Sequence, residues 1–492
     1  MNFDLFKRTE FKLFLTIWLI YIFFINSYGG DYMTDSTLSS TLSLVDKGTF
    51  IVDDYVKEGC KQTTGCDYSY YNSHFYSGYA PGMTLLAVPL YIISKPLFYL
   101  IPHNFLGYPD NQMKLIFLNF LATIFISSLL SALMTIMVYD ITQYFTKNKY
   151  HRLISSLVLS FGTLLFIYST EYYDGTVSTF FIFLSFYLLF KIKNNQEKII
   201  SSKLLFLAGL CAGFSVFLKY HQIIPVLFLS IYLLTFLRNK KILYFLAGLI
   251  VPGILLLGYH QLIYGNPLDT PYKHRMNDFA LNTVSTGFYQ IVGPEFKSIY
   301  GLSFSPEKGL FLYMPILLLS LIGLFYMFKE RNYTKEAILI LIFFFGLFLF
   351  NSSLVDGSWQ GNCSFGPRYL IPFLPFLALP LVFAFNKIKP LLFIFISILS
   401  IFINLLGTMY GKTLLWTGGC ENKLALFLYL KMIPSRGLSN YTLNLIKEKA
   451  FDIPIYLINL ITLLSLIFLG LLLYYIWKNS EFSKNLKTKE QK

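Results

Sequence analysis

The sequence predicts an all-α membrane protein with about twelve transmembrane helices and a large first extracytoplasmic loop that contains interfacial or re-entrant helices. The chain of 492 residues is 55% hydrophobic and only 13% charged, whereas soluble domains carry roughly 25% charged residues. Mean hydropathy is +0.57, and apolar segments suited to a bilayer core of about 30 Å recur from end to end. Aromatic residues make up 19% of the chain, and many tyrosines stand near segment ends, where amphipathic rings favour the membrane interface.

The apolar segments give the predicted spans in order. The first follows Lys7, Arg8 and Lys12 and has no small-residue cleavage site after it, so we expect a retained anchor. The spans are predicted at residues 11–27, 115–139, 153–168, 176–190, 204–218, 223–237, 242–262, 310–328, 337–350, 370–385, 391–406 and 453–477. Segment 81–100 contains three prolines and Lys95, which predicts a re-entrant or interfacial helix that does not cross.

Positive charge sets the predicted orientation. Basic clusters lie at residues 147–152, 191–203, 238–241, 329–335, 387–389 and 478–492. If the amino terminus is inside and segment 81–100 does not cross, all of these clusters face the cytoplasm, as the positive-inside rule requires. The sequence therefore predicts a multi-pass cell-membrane protein with both termini cytoplasmic. The outer loop 407–452 is also basic, which suits anionic lipid headgroups but not the rule.

The net charge of +14 does not indicate nucleic-acid binding, because the lysines and arginines mark loops and form no basic stripe on a soluble domain. The same topology places Cys60, Cys66, Cys363 and Cys420 outside, where disulfides persist. Cys60 and Cys66 are near enough in sequence to close a small loop, and Cys363 with Cys420 is a second pairing. Cys211 lies in a span and is expected to be a packing residue.

Acidic residues gather on the predicted outer face. Asp31 and Asp35 follow the first span, and their spacing of four puts both on one side of a helical turn. A run with helical spacing, 38–45, follows and predicts a helix in the interface. Asp174 follows the third span in a short turn. Helix capping and a solvated turn are the plain alternatives for each acid. Two acidic turns on the same side nevertheless favour a general base at the membrane surface.

Other outer residues complete a predicted substrate-binding set of Lys95, Lys308, Arg368, Trp359 and His74. Lys308 and Arg368 each stand directly before a span, at the level of the outer headgroups. A guanidinium there binds a phosphate through two hydrogen bonds, and snorkelling to lipid phosphate is the alternative. His74 precedes a segment rich in glycine and proline and is either a substrate contact or simply exposed.

Three motifs carry a resemblance to a known family. They are Tyr76-Ser77-Gly78-Tyr79-Ala80-Pro81-Gly82, Phe304-Ser305-Pro306-Glu307-Lys308-Gly309-Leu310 and Phe365-Gly366-Pro367-Arg368-Tyr369-Leu370. Together with the acidic turns after spans one and three, they resemble the C-type (GT-C) membrane glycosyltransferases. Relatives include protein O-mannosyltransferases, aminoarabinose transferases and rhizobial galacturonosyltransferase-like proteins. The resemblance covers residues 29–381.

The resemblance implies transfer of a sugar from a polyprenyl-phosphate donor on the outer face, to a lipid, glycan or protein acceptor. Asp31 or Asp35 would act as the catalytic base, and Asp174 would orient the acceptor or help to bind a divalent metal, the one cofactor left open. Arg368, Lys308 or Lys95 would stabilise the leaving lipid phosphate.

The same resemblance divides the chain into a transmembrane catalytic module, 1–406, with outer loop 28–114, and a second part, 407–492, with an outer loop, the last transmembrane helix and a basic cytoplasmic tail. The chain has Asp31-Tyr32 where O-mannosyltransferases have Asp-Glu, and Ala80-Pro81-Gly82 where aminoarabinose transferases have Lys-Pro-Pro. The acceptor therefore stays open. Two other functions remain, a transporter or flippase for lipid-linked glycans and a non-catalytic membrane assembly subunit.

Overall fold

The computed structural model describes residues 8–26, 32–56, 67–98, 100, 109–194, 201–275, 290–355, 358–361, 364–416, 429–431 and 455–478. Throughout these ranges the chain is helical apart from one two-stranded hairpin and connecting turns. The predicted all-α membrane fold is therefore confirmed. Asp31 and the cysteines at 60, 66, 363 and 420 lie outside the described residues, and Cys211 is a buried free thiol.

The first part of the chain contains ten α-helices within the described ranges. They are α1 Thr9–Phe23, α2 Tyr32–Lys47, α3 Gly82–Phe98, α4 Asp110–Ala122, α5 Leu129–Ile141, α6 Lys149–Phe161, α7 Leu165–Ser169, α8 Asp174–Lys193, α9 Ser202–Leu218 and α10 Ile223–Leu234. A π-helical turn, Thr123–Ser128, joins α4 to α5 in one continuous helix.

The described remainder of the chain contains nine further α-helices, and short 3₁₀ turns occur in both parts. The helices are α11 Ile242–Tyr264, α12 Phe296–Ser303, α13 Leu310–Tyr313, α14 Ile316–Lys329, α15 Thr334–Ser352, α16 Leu374–Ala378, α17 Leu381–Ala384, α18 Pro390–Trp416 and α19 Ile455–Trp477. The 3₁₀ turns are Asp53–Tyr55, Thr142–Tyr144, Tyr220–Gln222, Pro271–His274, Arg331–Tyr333 and Arg368–Phe373.

Six helices in the described ranges are long and apolar enough to cross a membrane. They are Asp110–Tyr144, Asp174–Lys193, Ile242–Tyr264, Arg331–Ser352, Pro390–Tyr410 and Asn459–Trp477. Five shorter apolar helices accompany them. The predicted span at 370–385 is broken into a 3₁₀ turn, α16 and α17, because Pro372, Pro375 and Pro380 cannot donate backbone hydrogen bonds. Twelve crossings with cytoplasmic termini stay a prediction.

Helix α2 packs along α3 through hydroxyl groups. Thr41 Oγ1 donates to Thr84 O (3.0 Å), and Thr84 Oγ1 donates to Thr37 O (3.1 Å). The helix predicted over 38–45 is thus present in α2, and both Leu38 and the hydroxyl residues beside it are buried. Hydrogen bonds to backbone carbonyls let these hydroxyls be buried without a desolvation penalty.

Segment 81–100 forms helix α3 over Gly82–Phe98. A Cβ at Gly82 would lie 2.7 Å from Phe217 O, so only glycine allows the start of α3 to meet the end of α9 this closely. Further along α3, Ile92 and Ile93 are exposed. The contact at Gly82 fixes the end of α9, two residues before Lys219.

The hairpin lies between α2 and α3 in sequence. Strands β1 Tyr68–Tyr71 and β2 His74–Ser77 pair antiparallel, with Tyr71 opposite His74. Asn72 and Ser73 form the two-residue turn with φ of 48° and 64°, the left-handed conformation that type I′ hairpin turns require. The hairpin ends at Ser77, directly before Gly78 and Tyr79.

Candidate functional site

The turn that precedes Asp174 is held by hydrogen bonds to two other parts of the chain. Asn26 N donates to Thr170 O (2.8 Å), which ties the turn to the end of α1. Ser128 Oγ donates to Ser169 O (2.7 Å), and Tyr173 N donates to Ser127 Oγ (3.3 Å). Both serines belong to the π-helical turn, a feature that often accompanies functional sites. The position of Asp174 at the start of α8 is therefore firmly set.

Asp174 forms a buried ion pair with Lys219. The Lys219 Nζ atom lies 2.6 Å from Asp174 Oδ1, and the two side chains are only 8% and 7% exposed. Asp174 stands in the first turn of α8, where the helix dipole favours negative charge. Lys219 caps the end of α9 in an extended conformation and also donates to Tyr173 Oη (3.3 Å).

Two cations share the same pair of aromatic rings. Lys219 Nζ lies 4.7 Å from the ring centroid of Tyr173 and 5.5 Å from that of Tyr369. Arg368 Cζ lies 5.9 Å and 5.4 Å from the same two centroids. Cations within about 6 Å of a ring centroid are attracted to its face. Asp174 and Arg368 thus lie in one cluster with Lys219, although they are 45 and 149 positions from it along the chain.

Arg368 is the unbalanced charge of this cluster. It forms no salt bridge with any described residue, and its Nε atom is buried without a hydrogen-bond partner. The side chain as a whole keeps partial exposure. A guanidinium so placed is costly unless an anion joins it, because a buried charge needs a counter-charge.

Lys308 adds a second positive group next to Arg368. Its Nζ atom donates to the carbonyl and to Oγ (3.0 Å) of Ser364, four residues before Arg368. Burial lowers the pKa of Lys308 to about 7, and the charge of Arg368 acts in the same direction while Glu307 opposes it. A neutral Lys308 amine is thus ready to gain a proton when an anion enters.

Arg275 closes the cluster on the side of the hairpin. Its Cζ atom lies 5.0 Å from the Tyr79 ring centroid and 4.6 Å from that of Tyr272, and its Nη2 atom donates to Gly78 O (3.2 Å). A Cβ at Gly78 would lie 2.4 Å from Asp67 O, so the close approach of Asp67 to Gly78 requires glycine. Burial and the Asp67 carboxylate raise the pKa of Tyr79, and the charges of Arg275 and Arg368 act in the opposite direction.

Asp35 lies between these two sides of the cluster. The residue before it, Thr34, donates from Oγ1 to Tyr172 O (3.3 Å), beside the Asp174 turn. The residue after it, Ser36, accepts from Gly78 N (3.1 Å), beside Arg275. Asp35 is 7% exposed. The structure therefore brings Asp35 and Asp174 to the same region of the molecule.

The remaining predicted residues lie at other positions or have other contacts. His74 Nδ1 is 2.7 Å from Asp53 Oδ2, and Lys95 Nζ is 2.7 Å from Asp46 Oδ1. Trp359 is buried against Gly301, where a Cβ would lie 2.2 Å from its ring. Their predicted contacts with substrate stay predictions. In the part of the chain that the structure describes, no group of three or more His, Cys, Asp or Glu side chains is arranged to hold a metal ion.

Sequence reasoning did not include Lys219, Tyr173, Tyr79 or Arg275 in the site. Lys219 carried a signal, because it is a charged residue directly after the apolar segment 204–218. Arg275 lies within a long outer loop with no motif around it. Its place depends on an isolated bridge to Ser69 that sequence does not reveal.

The solved structures that are similar to this chain include two of ArnT from Cupriavidus metallidurans. The first, bound to undecaprenyl phosphate, has a TM-score of 0.46 and 12% sequence identity, over 85% of this chain and 74% of that chain. The second, in the apo state, has a TM-score of 0.45 and 14% identity, over 85% and 73%. No family model and no curated protein sequence matches the chain. Similarity at this level says nothing of the chemistry that the outer cluster performs.

Proposed function

We propose that the protein is a glycosyltransferase that moves a sugar from a polyprenyl-phosphate donor to an acceptor at the extracytoplasmic face of the membrane. The observation that supports this most is Arg368, a guanidinium at the start of the 3₁₀ turn Arg368–Phe373 with no salt bridge to any described residue. A donor phosphate supplies the missing negative charge, and guanidinium groups match phosphate geometry through two parallel hydrogen bonds.

The proposed reaction uses groups on both sides of the cluster. A first-loop acid, Asp35 or Asp31, removes the proton from the acceptor hydroxyl, whose oxygen then bonds to the anomeric carbon of the donor sugar. The bond between that carbon and the phosphate oxygen breaks, and its electron pair leaves with the lipid phosphate. Arg368 and Lys308 stabilise the charge that develops on this phosphate. A positioned base contributes about 10²–10⁴-fold to such a reaction.

The location of the charged groups also favours an enzyme over a transporter. A transporter of charged lipid-linked glycans is expected to carry ionisable groups at mid-membrane. Among the described residues, the buried pair of Lys193 and Glu336 lies where α8 ends and α15 begins. The pair of Asp174 and Lys219 lies where α8 begins and α9 ends. An assembly subunit predicts that the acids lie far apart, whereas Thr34, next to Asp35, donates to the carbonyl of Tyr172, two residues before Asp174.

The test is an assay of sugar transfer with purified protein in lipid vesicles. A panel of polyprenyl-phosphate monosaccharides, radiolabelled in the sugar, is offered together with a mixed lipid and glycan acceptor extract, and nucleotide sugars serve as the alternative donors. We expect transfer of the labelled sugar to an acceptor, with release of polyprenyl phosphate, from at least one lipid donor, and no transfer of sugar from nucleotide sugars. Arg368→Gln should lower kcat/KM by about 10²–10³-fold.

Lys47→Gln is the matched control, because it removes one positive charge from the exposed ion pair between Lys47 and Asp54. It should leave kcat/KM within about twofold, as exposed salt bridges contribute little. Turnover of a nucleotide sugar, or movement of an intact lipid-linked glycan across the vesicle without bond cleavage, would contradict the proposal.

A further inference from the structure

A carboxylate lies inside the cationic part of the site. Lys219 and Arg368 both lie within 6 Å of the Tyr173 and Tyr369 ring centroids. Only Lys219 has a carboxylate partner among the described residues, Asp174 at 2.6 Å. The three groups together carry one net positive charge. The role of Asp174 in this arrangement therefore needs an explanation beyond a salt bridge that holds two helices together.

The geometry does not suit Asp174 for contact with an acceptor hydroxyl. Its Oδ1 atom is engaged by the Lys219 ammonium, and its side chain is 7% exposed. A hydroxyl would have to displace Lys219 to reach that oxygen. Lys219 in turn has its Nζ atom shared between Asp174 and Tyr173 Oη, with both tyrosine rings beside it.

We infer that Asp174 is a resident anion of the phosphate site. It neutralises Lys219 so that a lipid phosphate bound at Arg368 is held by a smaller net positive charge and leaves readily after transfer. Asp174 and Lys219 are then positioning residues that set the affinity for the phosphate, and Asp35 or Asp31 keeps the role of base. This inference rests on the proposed function, since it takes the ligand to be a lipid phosphate.

The inference predicts in which direction the affinity for the phosphate changes in each variant. The change Asp174→Asn keeps the side-chain shape and removes one negative charge, so the phosphate should bind more tightly. The change Lys219→Met leaves the negative charge of Asp174 near the phosphate, so the phosphate should bind more weakly. The double change leaves the net charge of the pair at zero, so affinity should return near the wild-type value. A purely structural ion pair instead predicts weaker binding in both single variants.

The expected size of the change in affinity follows from Coulomb's law. Because Arg368 and Lys219 lie beside the same two rings, a phosphate bound to Arg368 lies about 10 Å from Asp174. At an effective dielectric constant of about 20, the loss of the Asp174 charge at this distance changes the affinity about tenfold.

The experiment is titration of the purified protein in detergent with farnesyl phosphate, a soluble polyprenyl monophosphate, by isothermal calorimetry at low salt. Farnesol, which lacks the phosphate, is the control ligand. We expect Asp174→Asn to tighten farnesyl phosphate binding about tenfold and leave farnesol binding unchanged. An unchanged or weaker affinity in a variant with wild-type Tm would overturn the inference.

Two further outcomes are separated by additional variants. If Asp174→Asn does not fold, the same change is made in the Lys219→Met background, where it should again tighten binding, and no tightening there overturns the inference. If the wild type does not distinguish farnesyl phosphate from farnesol, the proposed function itself fails. If Arg368→Gln weakens binding but Asp174→Asn does not tighten it, only the resident-anion inference fails.

Discussion

Arg368 and Lys219 lie within 6 Å of the same two tyrosine ring centroids, yet removal of Lys219 should cost much more stability than removal of Arg368. Arg368 has no salt bridge to any described residue, whereas Lys219 pairs with Asp174 at 2.6 Å. Arg368→Gln leaves no partner unpaired, and its loss of ring contacts costs about 0.5–2 kcal/mol. Lys219→Met leaves a buried carboxylate without its counter-ion, which costs about 3–5 kcal/mol.

The effect of Arg368→Gln on phosphate binding should be much larger than its effect on stability. Two unit charges about 4 Å apart at an effective dielectric constant of about 20 attract by about 4 kcal/mol. Desolvation of the phosphate offsets part of this, so truncation of the charged group should cost about 2–4 kcal/mol of binding, or about 10²–10³-fold in Kd.

Two measurements on the same preparations check this reasoning. Differential scanning fluorimetry gives the Tm of the wild type, Arg368→Gln and Lys219→Met, and calorimetric titration gives Kd for farnesyl phosphate. We expect Arg368→Gln to keep its Tm within a few degrees and to lose affinity, with Lys47→Gln unchanged in both. Wild-type affinity for farnesyl phosphate in Arg368→Gln would refute the assignment of the phosphate site.

Three further predictions concern other parts of the site. Because burial lowers the pKa of Lys308 to about 7, the fraction of Lys308 that is cationic grows as pH falls from about 9 to 7. The affinity for farnesyl phosphate should therefore rise by up to about tenfold per pH unit over this range. Calorimetry should show a flatter pH dependence in Lys308→Met, and an equal pH dependence in that variant would contradict the prediction. Asp35→Asn should lower kcat of sugar transfer about 10²–10⁴-fold with little change in farnesyl phosphate Kd, and full activity would leave Asp31 as the base. Gly82→Ala puts a Cβ 2.7 Å from a backbone oxygen and should lower the free energy of unfolding, measured by chemical denaturation, by about 1–3 kcal/mol. The control Gly253→Ala meets open space and should be neutral or stabilising. Equal stability of the two variants would show that the approach at Gly82 is not tight.

Much of the fold could be predicted because the bilayer restricts the choice. The apolar runs, basic loops and prolines of the sequence predict helices such as α1, α8 and α18 in the order in which the structure has them. The short pieces that replace a span at 370–385 could also have been expected from its three prolines. The π-helical turn could not, since Thr123–Ser128 has an ordinary apolar sequence and its hydrogen bonds go to a distant turn.

The site could be predicted only in part. The acids and basic residues at span ends were visible in the sequence, and the structure places Asp174, Arg368 and Lys308 near one another. The pairing of Asp174 with Lys219 was not visible, because charge pairing between residues on different helices depends on how those helices pack. Arg275 reaches the cluster from a long loop through Gly78, a contact for which the sequence carries no periodic signal.

The most direct test of the phosphate site is an experimental structure of the protein with a bound polyprenyl phosphate. We expect phosphate oxygens within about 3 Å of the Arg368 guanidinium, with Lys308 beside them and Asp174 still paired with Lys219. A phosphate bound away from Arg368, for example at Lys95 on α3, would contradict the account. Arg368 would then have no anion that balances its positive charge.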